Sequence, residues 1–325
     1  MNTTPRLRPM SIGDMLDTAF RLYRQHFLTF IGIVALLQVP MAILQFLILL
    51  PYTQVVQRFA TRPPVVRPGQ SLLDIFPFGE LLPYYALLLG LGVIQYLVVY
   101  NLMSGALANA ISRGYLGKPV SILSAYSFGF GRFLSLLVAS LAPFAISLVM
   151  VAVLAGCGFA ALSTLGVRSG EQPNVGLAIG AVVGLIGVVF LMLLAMLFFY
   201  IRLLLSTQAI VLEGRGPLAG ISRSWRLVGQ SFWRSLGIVL LVFAFAYVVS
   251  LIVQLPVLAI LGFSGIIFSN PALYQGINVL MTYLALIVIL PLQFIIFTLL
   301  YYDLRIRKEG YDLELIAEAQ QAAAP

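Results

Sequence analysis

Residues 27–50 read FLTFIGIVALLQVPMAILQFLILL, twenty-four positions without a single charge. A helix rises about 1.5 Å per residue, so roughly 20 apolar residues cross about 30 Å of hydrocarbon. This stretch is long enough, and it decides the fold class. Five more apolar stretches follow, at 83–109, 133–163, 175–206, 235–262 and 277–302. The sequence predicts an all-α polytopic transmembrane helix bundle of about six spans, one integral membrane domain over residues 1–325. The third and fourth stretches are long enough to tilt, kink or protrude. Pro40, Pro143, Pro256 and Pro291 fall inside spans, where a missing N–H usually kinks a helix.

Composition agrees. Of 325 residues, 61% are hydrophobic and 9% charged, against about 25% charged in soluble domains, which excludes a water-soluble globule. The net charge of +8 is scattered between apolar runs and forms no basic patch interleaved with aromatics, so nucleic acid is not an expected partner. One cysteine, Cys157, excludes an intrachain disulfide, and one histidine, His26, leaves no metal-ligand cluster. No P-loop, G-x-S-x-G, H-E-x-x-H or G-x-G-x-x-G occurs, so no catalytic residue, cofactor or metal is expected.

The basic residues sort by side. Fifteen of the 19 Lys and Arg lie before the first span, between the second and third, between the fourth and fifth, and after the sixth. Only Arg58, Arg62, Arg67 and Arg168 lie opposite. An even number of spans and this asymmetry place both termini, including a tail over 311–325, in the cytoplasm. The polar N-terminal segment lacks an A-x-A-type end and reads as no cleaved signal peptide. The external stretch 58–80 is Pro-rich in its first half and predicts an irregular loop. Its Leu72, Leu73, Ile75, Phe76 and Phe78 suit a segment dipping back onto the membrane surface.

A pattern recurs before the first, third and fifth spans. Phe20-Arg21-Leu22-Tyr23-Arg24-Gln25-His26-Phe27 is matched 205 positions later by Trp225-Arg226-Leu227-Val228-Gly229-Gln230-Ser231-Phe232. A weaker middle copy, Tyr126 to Phe133, keeps two aromatics seven apart. Seven residues make about two helical turns, so the paired aromatics share a face. The apolar stripes are Ile12, Met15, Leu16, Ala19, Phe20 and Tyr23 in the first copy, and Leu218, Ile221, Trp225, Val228 and Phe232 in the last. Ser11 and Ser121 suit N-caps and Pro217 a first turn. These segments predict amphipathic helices in the cytoplasmic interface, bent from their spans near His26 and Ser231. Arg21, Arg24, Arg223, Arg226 and Trp225 become candidate headgroup or partner contacts. The repeat units run about 10–112, 120–210 and 216–310.

Within the spans Gln38, Gln45, Gln95, Asn101, Gln254 and Gln293 are embedded polar candidates, for interhelical hydrogen bonds or a polar cavity. Arg202 is close enough to a span end to snorkel. Gly176, Gly180 and Gly184 form a small-xxx-small ladder, expected to let helices approach closely within one chain or between copies.

The ending Leu299-Leu300-Tyr301-Tyr302-Asp303-Leu304-Arg305-Ile306-Arg307-Lys308-Glu309-Gly310-Tyr311-Asp312-Leu313-Glu314 resembles that of bacterial membrane proteins named after the membrane domain of glycerophosphodiester phosphodiesterases. The stretches Pro9 to Phe27 and Gly216 to Phe232 look like the same family. The resemblance implies a multi-helix module of the bacterial cytoplasmic membrane, sometimes fused to a catalytic barrel. Such a barrel needs about 250 residues, and no polar stretch here approaches that length. The phosphodiesterase activity is therefore not carried over. The reading is a non-enzymatic module that binds membrane lipid, another membrane protein or a second copy of itself. The alternative is a transporter or channel subunit for an apolar or neutral solute, suggested by internal repetition and prolines in the spans.

Overall fold

The computed structural model describes residues 9–61, 77–164, 175–265 and 269–310. All regular structure among them is helical. In chain order these are α1 (Ile12–Gln25), α2 (Phe27–Thr61), α3 (Phe78–Tyr115), α4 (Ile122–Thr164), α5 (Val175–Leu203), α6 (Ser206–Leu212), α7 (Pro217–Gly229), α8 (Phe232–Phe263) and α9 (Pro271–Glu309). Six helices are long and apolar enough to cross a membrane. In hydrocarbon no water satisfies backbone N–H and C=O groups, so each crossing segment stays helical along its length.

The spans overrun the bilayer. The 35 residues of α2 make about 52 Å at 1.5 Å per residue, well beyond the hydrocarbon. Pro40, Pro143, Pro256 and Pro291 each remain inside one continuous helix, so no span is split in two. Within α3 the regular winding is interrupted by a π turn at Gln95–Val99, where the Tyr100 N–H reaches back to the Gln95 carbonyl. Its residues, QYLVV, look like ordinary apolar span.

Helix α9 is the axis of the bundle. It is the most deeply buried span and packs against α2, α1, α8 and α3. At the other extreme, α5 buries none of its most apolar window. Lipid tails are as apolar as leucine, so burial within the bundle adds little hydrophobic drive, and close packing must supply the cohesion.

That packing does not use the predicted glycine ladder. Gly176, Gly180 and Gly184 lie exposed on α5, and a Cβ at Gly180 or Gly184 meets nothing within 4 Å. Among the described residues, the expectation of close helix approach fails at Gly180 and Gly184. The close approach is elsewhere, between α3 and α4. A Cβ on Gly129 would stand 3.0 Å from the Ala106 backbone nitrogen, and Gly105 lies against the Gly129 Cα. A small-residue spacing marks a surface able to pack; which one does so depends on the neighbouring helix.

The recurring segments separate into two kinds. Helix α1 begins at Ser11, whose hydroxyl and Asp14 form a reciprocal capping box, and ends at His26 with φ −119°. Helix α7 begins with Pro217 in its first turn and is followed by Ser231 at φ −132°. Both chains therefore break from the following span. The middle copy does not, because Tyr126 to Phe133 lie within the uninterrupted α4. Its separate interfacial helix is a correction to the sequence reading: nothing after the Ser121 cap stops the helix, so it runs directly into the span. Of the external loop, Leu72, Leu73, Ile75 and Phe76 lie outside the described residues, as does the 311–325 tail.

Candidate functional site

The polar chemistry of the molecule gathers at the end of the bundle where α1, α6, α7 and the last turns of α9 meet. Asp303 of α9 is fully buried. Its carboxylate accepts the Met10 N–H at 2.8 Å and both approaches of the Arg307 Nε at 3.0 Å. Arg234, at the start of α8, stands 2.9 Å from its second oxygen. Arg234 and Arg307 also donate to the Met10 carbonyl, at 2.7 and 2.8 Å. One carboxylate thus ties the entry of α1 to α8 and α9.

A second cluster centres on Glu213, just after α6. It pairs with Arg223 of α7 at 2.9 Å and with Arg305 of α9 at 3.5 Å, and accepts hydrogen bonds from Arg215 and Tyr301. Arg223 continues to Glu309. Burial alone pushes the Glu213 carboxyl up, but the bonds from Tyr301, Arg223 and Arg215 outweigh it and hold it below the ordinary carboxylate range. Burial likewise opposes the charge on Arg223, and the bonds to Glu309 and Glu213 more than restore it, so its pKa is raised. On α1, burial pushes the Tyr23 hydroxyl up to about 12 while it donates to the Val288 carbonyl at 3.0 Å.

These contacts account for the distinctive ending. Tyr301, Asp303, Arg305, Arg307 and Glu309 all enter the two clusters, Tyr302 meets Ser112 at 2.8 Å, and Lys308 donates to the Leu227 carbonyl. Sequence reasoning missed Glu213, Asp303 and Glu309 as site residues. The available signal was their placement among arginines in a chain with only 11 Asp and Glu.

The candidate headgroup contacts divide accordingly. Arg223 is buried and ion-paired, which corrects its assignment as a headgroup contact. Arg21, Arg24 and Arg226 are exposed and have no ion pair among the described residues. Beside them lie exposed apolar side chains, Ile12 and Phe20 on α1, and Leu218 and Trp225 on α7, with Trp233 80% exposed at the start of α8. The predicted stripe of α7 is thus split: Val228 faces the bundle, beside Gly220, Arg223, Ser224 and Leu227, while Leu218 and Trp225 turn outward. Trp225 holds Arg202, whose guanidinium stacks 4.7 Å from the indole centroid and donates to the Trp225 carbonyl at 3.2 Å. Arg202 therefore reaches from the end of α5 onto α7. His26 is half-buried at the α1–α2 joint, in contact range of Gly114.

The embedded amides bridge helices. Gln95 donates to Gln38 at 3.0 Å, Asn101 to Ser140 at 2.8 Å and Gln293 to Tyr200 at 3.4 Å, while Gln45 accepts from Tyr283 at 2.8 Å. Gln254 is half-buried, and no hydrogen bond joins it to the described residues. Between α3, α4, α5 and α9 lies a cavity of about 400 Å³, which Asn101, Ser140, Tyr200 and Gln293 help to line.

Six long apolar helices, the last two tied by ion pairs to each other and to α7 at one end of the bundle, define a multi-pass helical membrane protein. Residues 10–304 match the family described as a domain of unknown function (DUF7847), and the chain belongs to that family. No curated protein and no solved structure matches it.

Proposed function

We propose that this protein is a non-enzymatic module of the bacterial cytoplasmic membrane that engages anionic lipid at its basic end. One observation carries the reading. Two short helices outside the spans, α1 and α7, each bury one face in the bundle and expose arginines beside apolar side chains. Arginine complements a phosphate, and an adjacent Phe, Leu or Trp suits the acyl boundary. Each arginine near an anionic surface adds on the order of 1 kcal/mol. The 15-to-4 division of Lys and Arg supports a cytoplasmic position for this end and for both termini.

Native mass spectrometry of the protein released from nanodiscs containing phosphatidylglycerol and phosphatidylcholine tests this. Preferential retention of phosphatidylglycerol, reduced in the Arg21→Gln/Arg24→Gln/Arg226→Gln variant, is expected; equal retention of the two lipids contradicts it. A second reading, transport of an apolar or neutral solute, is favoured by the cavity between four spans. Flux of such a solute in liposomes would establish it.

A further inference from the structure

We propose that the cavity between α3, α4, α5 and α9 binds an uncharged amphiphile: an apolar chain carrying an alcohol, ester or amide group. This proposal is independent of the basic end. At about 400 Å³ the cavity falls within the range of small-molecule sites, roughly 300–1,000 Å³. No charged side chain is among the residues that line it. An ionised headgroup there would lose its hydration without a countercharge, which excludes phosphate-bearing ligands from its interior.

The walls are built for an apolar body with a polar point. The π turn of α3 winds wider than an α-helix, so Tyr96 and Tyr100, four positions apart, come nearly above one another. Their rings stack with centroids 6.4 Å apart and 5° between planes. Phe144 backs Tyr96 at 5.7 Å, and Phe294 backs Tyr100 at the same distance. The phenol of Tyr100 has no hydrogen-bond partner among the described residues, and Tyr200 accepts from Gln293 with its own proton unassigned. Two phenolic donors therefore border one apolar space, suited to a carbonyl or hydroxyl oxygen. Entry from the bilayer is short, because α4 and α5, which form one side, are the least buried spans.

The test uses the full chain in phosphatidylcholine nanodiscs containing a diazirine-bearing diacylglycerol or, in parallel, a diazirine-bearing phosphatidylglycerol. The diacylglycerol probe is expected to label peptides covering 136–147 and 196–207 and to be displaced by excess unlabelled diacylglycerol. Ser140→Phe, which fills the cavity, should abolish that labelling. Tyr100→Phe and Tyr200→Phe remove only a hydroxyl each, and each should weaken probe binding about fivefold, the value of one ordinary hydrogen bond. The phenylalanine pair decides the matter if Ser140→Phe does not fold. Equal labelling of these peptides by the two probes, or labelling unchanged in the Tyr100→Phe/Tyr200→Phe variant, overturns the proposal.

Discussion

The Asp303 carboxylate accepts the Met10 N–H at 2.8 Å, joining positions 293 residues apart in the chain. Because Arg234 and Arg307 converge on the same carboxylate, this contact fixes where α1 leaves the bundle and how its exposed face is presented. The arginines of α1 are thus positioned by a residue near the far end of the sequence.

Asp303→Asn should accordingly be costly. It leaves two guanidinium groups without their countercharge, and breaking a buried pair costs about 3–5 kcal/mol. A loss near 3 kcal/mol is expected, since Arg234 and Arg307 remain partly hydrated. Thermal melting in detergent measures it, with the exposed Asp17→Asn as a control that should change little.

Acid should act through Glu213. Its folded pKa lies below that of the unfolded chain, so its contribution is fully present above the unfolded carboxylate value, about 4.3. The contribution is lost as pH falls through the folded value. The Tm difference between the wild type and Glu213→Gln should be widest near neutrality and shrink as the pH approaches 3. A constant difference across that interval would mean that the carboxylate charge contributes nothing.

The two glycine surfaces make opposite predictions. Gly129→Leu forces a side chain into the Ala106 backbone and should destabilise by about 1–3 kcal/mol. Gly180→Leu enters open space and should leave the Tm unchanged or slightly raised by better helix propensity. A marked loss of stability at Gly180 would point to a packing surface between copies.

The six spans were legible because an apolar run of 20 or more residues admits few other structures, and the breaks at His26 and near Ser231 followed from helix caps and repeated aromatics. Proximity across the chain was not legible. Nothing local in Asp303 says that it meets Met10, and nothing in Glu213 says that it meets Arg223, Arg305 and Tyr301. For that reason Arg223 read as a surface cation although its partners bury it. The cavity depends on a π turn, whose residues Gln95 to Val99 look like ordinary span.

Exposed arginines of α1 and α7 are proposed to select anionic lipid. Electron paramagnetic resonance of spin-labelled phosphatidylglycerol and phosphatidylcholine, reconstituted with the full chain, measures that selectivity directly. The wild type should immobilise the anionic lipid preferentially at low ionic strength, with the preference weakened by salt and reduced in Arg21→Gln/Arg24→Gln/Arg226→Gln. Equal association of both lipids, or a preference unaltered in the triple variant, would contradict the account.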